Sequence, residues 1–135
     1  MILIDANLLL YAYHERAEHH VARRAWLEAA LSGSEMVCFT WLTLWAFLRI
    51  GTNPRVFEHP LSMSEAEGVV SSWLAQPTVG ILEPGEPHWE ILRGLMREGQ
   101  AAGPLVMDAV IRRNCAGTWR HALHDRPRLL AVYRA

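Results

Sequence analysis

Short apolar runs alternate with longer amphipathic ones along this chain, and that alternation limits the folds open to it. Residues 1–4, 36–40 and 79–82 are brief, rich in β-branched and aromatic side chains, and read as strands. Residues 8–13, 20–31, 40–50, about 62–76 and 87–100 carry helical spacing or helix punctuation. Ser62-Met63-Ser64-Glu65 is a capping box, Pro77 closes the helix it opens, and Gly51 with Asn53-Pro54 ends the one before. The order β, α, β, α, β, α predicts an α/β fold with a short parallel sheet covered by helices. With 135 residues, 51% of them hydrophobic, the chain has material for one core and no second domain.

Two of the apolar runs end on a carboxylate. The run at 1–4 delivers Asp5-Ala6-Asn7, and Leu105-Val106-Met107 delivers Asp108, each at the start of a helical segment. In open α/β sheets ligands gather at the carboxyl ends of strands, where Asp5 is expected. Desolvating a carboxylate is costly, and two that converge favour a hard divalent cation such as Mg²⁺ or Mn²⁺. Either residue could equally serve as a helix N-cap, which Asp does well. Arg49, near the end of the segment 40–50 and expected near the strand ends, is suited to gripping a phosphate, or to the carboxyl end of a helix.

Other chemistries lack their signatures. No nucleophile elbow, phosphate loop or dinucleotide fingerprint is present. The seven His, including His14, His19 and His20, lack zinc-helix spacing and read as solvated surface. Trp26, Trp41, Trp45, Trp73 and Trp89 fall in helical patterns beside aliphatic residues and are expected mostly in the core, ahead of stacking on nucleic-acid bases. Cys38 and Cys115 lie far apart, no charged and apolar leader precedes the first run, and no apolar stretch approaches the roughly 20 residues of a membrane span. A reduced, cytoplasmic protein is the expectation.

The charge is uneven. Residues 1–111 hold seven Arg against thirteen acids, about −6, whereas residues 112–135 hold six Arg against Asp125 alone, about +5. Hydrophobic periodicity also fails after residue 111. All thirteen basic residues are Arg and none is Lys, which points to GC-rich coding DNA.

The segments MILIDANLLLYAY, FTWLTLWAFLRIGTNPRVFEHPLS and GPLVMDAV together resemble the PIN-domain ribonuclease toxins of the VapC group, over about residues 1–111. The resemblance implies a PIN-like three-layer fold and a Mg²⁺-dependent endoribonuclease of a type II toxin–antitoxin system, a hydrolase of RNA phosphodiester bonds. It also implies a VapB-type antitoxin as partner, RNA as substrate, a homodimer and a cytoplasmic location. Carried over by position, Asp5 and Asp108 are metal ligands and catalytic residues, Asn7 supports them, and Arg49 is a candidate substrate contact. Many PIN domains place a Glu where this chain has Ala46, and a subgroup of these toxins shares that Ala.

The family closes with a strand and an acidic motif of the kind T-T-D-x-D-F, where this chain has TWRHALHDRPRLLAVYRA. Domain body 1–111 and an atypical tail 112–135 therefore differ, and the final strand is expected to be missing or altered. Permitted codons for residues 115–135, read one base later, encode ALEHGATLCTTDRDFSRFTG, which contains the motif with its acids at the positions of Arg126 and Arg128. A frameshift accounts for the tail without inserting or losing a residue, and it implies impaired catalysis. The alternative is an inert PIN-like shell that binds only antitoxin or RNA.

Overall fold

The computed structural model describes residues 1–17, 19–84, 88–100 and 132–134, together with 106 and 110. Strand β1 (Ile2–Ile4) leads into α1 (Ala6–Tyr13) and α2 (His20–Ser32), and β2 (Val37–Phe39) into α3 (Trp41–Gly51) and α4 (Met63–Leu74). Strand β3 (Val79–Ile81), α5 (His88–Glu98) and β4 (Val132–Arg134) follow. The sheet order is β3-β2-β1-β4, with β1, β2 and β3 parallel and β4 antiparallel to β1. Helical crossovers between parallel strands explain why the alternating sequence gave this α/β sheet. No helix among the described residues is long and apolar enough to cross a membrane.

The side-chain period of two divides the strands between faces. Ile2, Ile4, Val37 and Phe39 join the main core with Leu9, Leu27, Leu44 and Phe47, while Leu3 and Cys38 form a small cluster on the opposite face with Met1 and Leu82. Burial of both faces is what a parallel sheet requires, and it raises the pKa of the Cys38 thiol. Trp73 binds the helical layer together. Its ring stacks on Phe39 at 5.5 Å, meets Phe47 at 4.9 Å and Tyr13 at 5.5 Å, and its indole N–H donates to the Tyr13 hydroxyl at 3.3 Å. Truncating so central a ring to Ala costs about 3–5 kcal/mol. The capping box at Ser62 is formed in both directions, as its sequence spacing predicts.

The structure corrects the expectation for the tryptophans. Trp73 is buried and Trp26 packs against the core, but Trp41, Trp45 and Trp89 are exposed. On α3, Thr43, Leu44 and Phe47 occupy the inward face, so positions 41, 45 and 49 turn outward together. Among the described residues the histidines are spread over separate surroundings. His14 stacks on Phe57 at 4.2 Å, His20 Nδ1 lies 3.1 Å from the Tyr11 carbonyl, and no group of three potential metal ligands occurs among the described residues. Part of the tail does contribute a strand: Val132, Tyr133 and Arg134 pair with Ile4, Leu3 and Ile2. Its β-branched and aromatic residues suit a strand, though the loss of periodicity around them hid it. The rest of residues 112–135, Cys115, Asp125, Arg126 and Arg128 among them, lies outside the described residues.

Candidate metal centre at the carboxyl edge of the sheet

Two strand-to-helix junctions stand side by side at one edge of the sheet. The parallel register pairs Ile2 with Val37 and Leu3 with Cys38, and continuing it by two residues places Asp5 beside Thr40. Asp5 is the N-cap of α1 and Thr40 the N-cap of α3, both in extended backbone, and both are buried, with 7% and 2% of their surface exposed.

The two caps behave differently. Thr40 Oγ1 accepts from the Thr43 backbone N–H at 3.1 Å and lies 2.9 Å from the Thr43 hydroxyl, so the pair locks the first turn of α3. Asp5 makes no capping bond from its side chain to the first turn of α1. Its Oδ2 instead accepts from the Asn7 side-chain amide at 3.2 Å. The capping explanation for Asp5 thus fails at the atom that would have to do the capping. A carboxylate at a helix N-terminus is stabilised in its charged form by the helix dipole, and Asn7 fixes one oxygen by donating to it. Carboxylate oxygens placed at the strand end are donors of the kind that fits Mg²⁺ or Mn²⁺.

Of the remaining sequence candidates, Asp108 lies outside the described residues; Val106 and Val110 on either side of it are helical and half-buried. Arg49 is exposed in the last turn of α3. Because α3 begins at the carboxyl edge, nine residues of helix, about 13 Å of rise, separate Arg49 from Thr40. It therefore stands away from the strand ends, contrary to the expectation from sequence, which fixed the helix but not its direction from the edge. Ala46 is half-buried on α3, within a turn of Thr43, and brings no ligand. Sequence reasoning missed the Thr40–Thr43 pair, although a Thr-x-x-Thr spacing directly after an apolar run is a capping signal.

Comparison with known proteins decides the lineage. The chain is 38% identical over 109 residues to the ribonuclease VapC37 of Mycobacterium tuberculosis, covering 81% of this chain and 76% of that protein. The chain belongs to the VapC family. It is also 37% identical to VapC33 over 108 residues, 80% of this chain and 76% of the other, and 36% identical to VapC31 over 117 residues, 87% and 82%, both from the same species. No protein-family model matches the chain. The β1–α1 junction and the three parallel strands stand where the alternation of apolar and amphipathic runs predicts them.

Proposed function

We propose that this protein is a metal-dependent endoribonuclease, the toxin of a type II toxin–antitoxin pair, acting on RNA phosphodiester bonds in the cytoplasm. One observation carries the reading: the buried Asp5 carboxylate stands at the carboxyl end of β1 without capping the helix it precedes. Relatives at 36–38% identity that bear the name ribonuclease support it. In this proposal Asp5 and Asp108 hold Mg²⁺, with Mn²⁺ able to replace it, and Asn7 orients Asp5. A divalent cation there supplies positive charge against the developing charge on the phosphoryl oxygens and a water acidified for attack. Arg49, set back along α3, contacts a phosphate flanking the cleaved bond rather than the cleaved one. A VapB-type antitoxin and self-association into a homodimer complete the reading.

The tail qualifies the activity. Arg126 and Arg128 stand at the positions that the shifted frame fills with acids, and cations there oppose a divalent ion. We therefore assign the body 1–111 to the nuclease and the tail 112–135 to a frameshift that impairs it. The second reading, a shell that binds antitoxin or RNA without cleaving, rests on that same substitution. The test compares the chain as it stands with one carrying ALEHGATLCTTDRDFSRFTG over residues 115–134. RNA cleavage that rises with the restored sequence, is abolished by EDTA and is lost on Asp5→Ala supports the nuclease. Cleavage that survives both EDTA and Asp5→Ala contradicts it, and no cleavage from either chain leaves the binding shell.

A further inference from the structure

Trp41, Trp45 and Arg49 are the exposed residues of α3, spaced by four and so aligned in single file. The file starts at the carboxyl edge of the sheet. Trp41 follows Thr40 directly, and the register sets Thr40 beside Asp5, so Trp41 stands within about 9 Å of Asp5, Cα to Cα. From there the helix carries Trp45 and Arg49 outward in steps of about 6 Å. The rings of Trp41 and Trp45, 42% and 61% exposed, lie nearly parallel, 25° apart, with centroids at 6.4 Å. The Trp41 indole N–H donates to the exposed Glu83 carboxylate at 3.2 Å, an edge contact that fixes the ring and leaves stacking to its faces. Glu83 belongs to the same edge, two residues past Ile81, the partner of Phe39 in β3.

We propose that this file is a stacking track for single-stranded RNA, in which bases next to the cleaved bond stack on Trp41 and Trp45 and Arg49 holds the phosphate beyond them. The proposal rests on the nuclease reading for its substrate and adds the side chains that hold the strand. Every base has a π-face, and aromatic rings in line with a cation are how sequence-tolerant single-strand sites are built. Charge decides which part of the strand lies where. Glu83 at the inner end repels phosphate and turns a base towards Trp41, whereas Arg49 at the outer end draws the backbone. A duplex hides its base faces, so the track selects unpaired segments such as loops. A protein partner is the poorer occupant. Half-buried Leu42, Ala46 and Leu48 flank the file, and three exposed side chains are far fewer than the roughly 20–30 residues a side of a stable interface.

Binding of short fluorescein-labelled single-stranded RNA to the full chain in EDTA, read by anisotropy, tests the track apart from cleavage. Trp45→Ala should weaken binding by roughly tenfold or more with far-UV circular dichroism unchanged, and Trp45→Phe should keep most of it. On an abasic strand of equal length, or on a duplex, Trp45→Ala should have no effect. Arg49→Ala should weaken binding to the normal and abasic strands alike and lower the slope of log affinity against log salt by about 0.7. The abasic strand thereby separates stacking from attraction to the arginines of the tail. Asp5→Ala should bind no more weakly than the native chain. A failed nuclease reading then shows as cleavage indifferent to Asp5 while Trp45→Ala still weakens binding. A failed track shows as Asp5-dependent cleavage while Trp45→Ala binds RNA as the native chain does. Equal binding by Trp45→Ala and the native chain, or the same loss on the abasic strand, overturns the proposal. So does a Trp45→Ala chain altered only in its sedimenting mass or its affinity for an antitoxin, which assigns the file to a protein interface.

Discussion

The junctions after β1 and β2 are alike in backbone and opposite in use of the side chain. Both place a buried polar residue in extended conformation at the carboxyl edge, followed at once by a helix. At Thr40 the side-chain oxygen is committed to the helix, accepting from the N–H of Thr43. At Asp5 the stronger acceptor makes no such bond and is held by Asn7. Asp ranks at least as high as Thr as an N-cap, so intrinsic preference does not explain the difference. The same local architecture thus commits its side chain to the helix at one strand end and holds a buried carboxylate outside the cap at the other.

The largest effect that separates the two junctions should come from Asp5. In the chain with the restored tail sequence, Asp5→Asn is expected to lower RNA cleavage by at least about 100-fold, beyond the range typical of a partner that only orients a ligand. Its melting temperature should change little, because the side chain keeps its shape and Asn serves as well as Asp at a helix N-cap. A fall of several degrees would make Asp5 a structural residue like Thr40 and break the contrast. Asn7→Ala comes next, with about a tenfold loss of cleavage and a matching loss of Mn²⁺ affinity by titration calorimetry. Equal metal affinity in that variant would show that the amide does not position the carboxylate.

Thr40→Ala should give the reverse profile. Losing the cap and leaving the Thr43 hydroxyl without its buried partner should cost about 1–2 kcal/mol in urea unfolding, with metal affinity little changed. The smallest effect lies at the solvent-facing counterpart, the capping box of α4. Hydrogen bonds from the Ser62 hydroxyl and backbone N–H hold the Glu65 carboxyl below its ordinary pKa. A carboxyl with a lowered folded pKa stabilises the fold above the unfolded value, and that contribution is lost as pH falls through the folded one. Protection of the amides at the start of α4, relative to their intrinsic exchange rates, should therefore fall on acidification, and Glu65→Gln should flatten that response.

Much of this fold was legible because its signals are local. Apolar runs ending at Asp5 and Thr40, the Ser62–Glu65 box and the Gly51 stop each act within a few residues. What the sequence could not show depends on direction and partners. Arg49 reads from the sequence as the end of its helix, as found, but periodicity carries no information about which edge of the sheet that helix starts from. Trp41 and Trp45 look like core in the sequence because a helical pattern beside aliphatic residues does not reveal which stripe turns inward. Leu44 and Phe47 settle that only once packed. The carboxylate of Asp5 was ambiguous between cap and ligand, and a missing hydrogen bond resolves that ambiguity only in three dimensions.

Resequencing the coding DNA from the Asp108 codon onward addresses the tail. One inserted or deleted base upstream of residue 115 is expected, and a sound frame would make residues 112–135 native. Whether Asp5 is kept for a metal is answered by titrating Mn²⁺ into the isotopically labelled protein and recording amide signals. Paramagnetic broadening confined to the amides around Asp5 and Thr40, and abolished by Asp5→Ala, is the predicted result. Broadening spread over surface acids, or unchanged by that substitution, would contradict it.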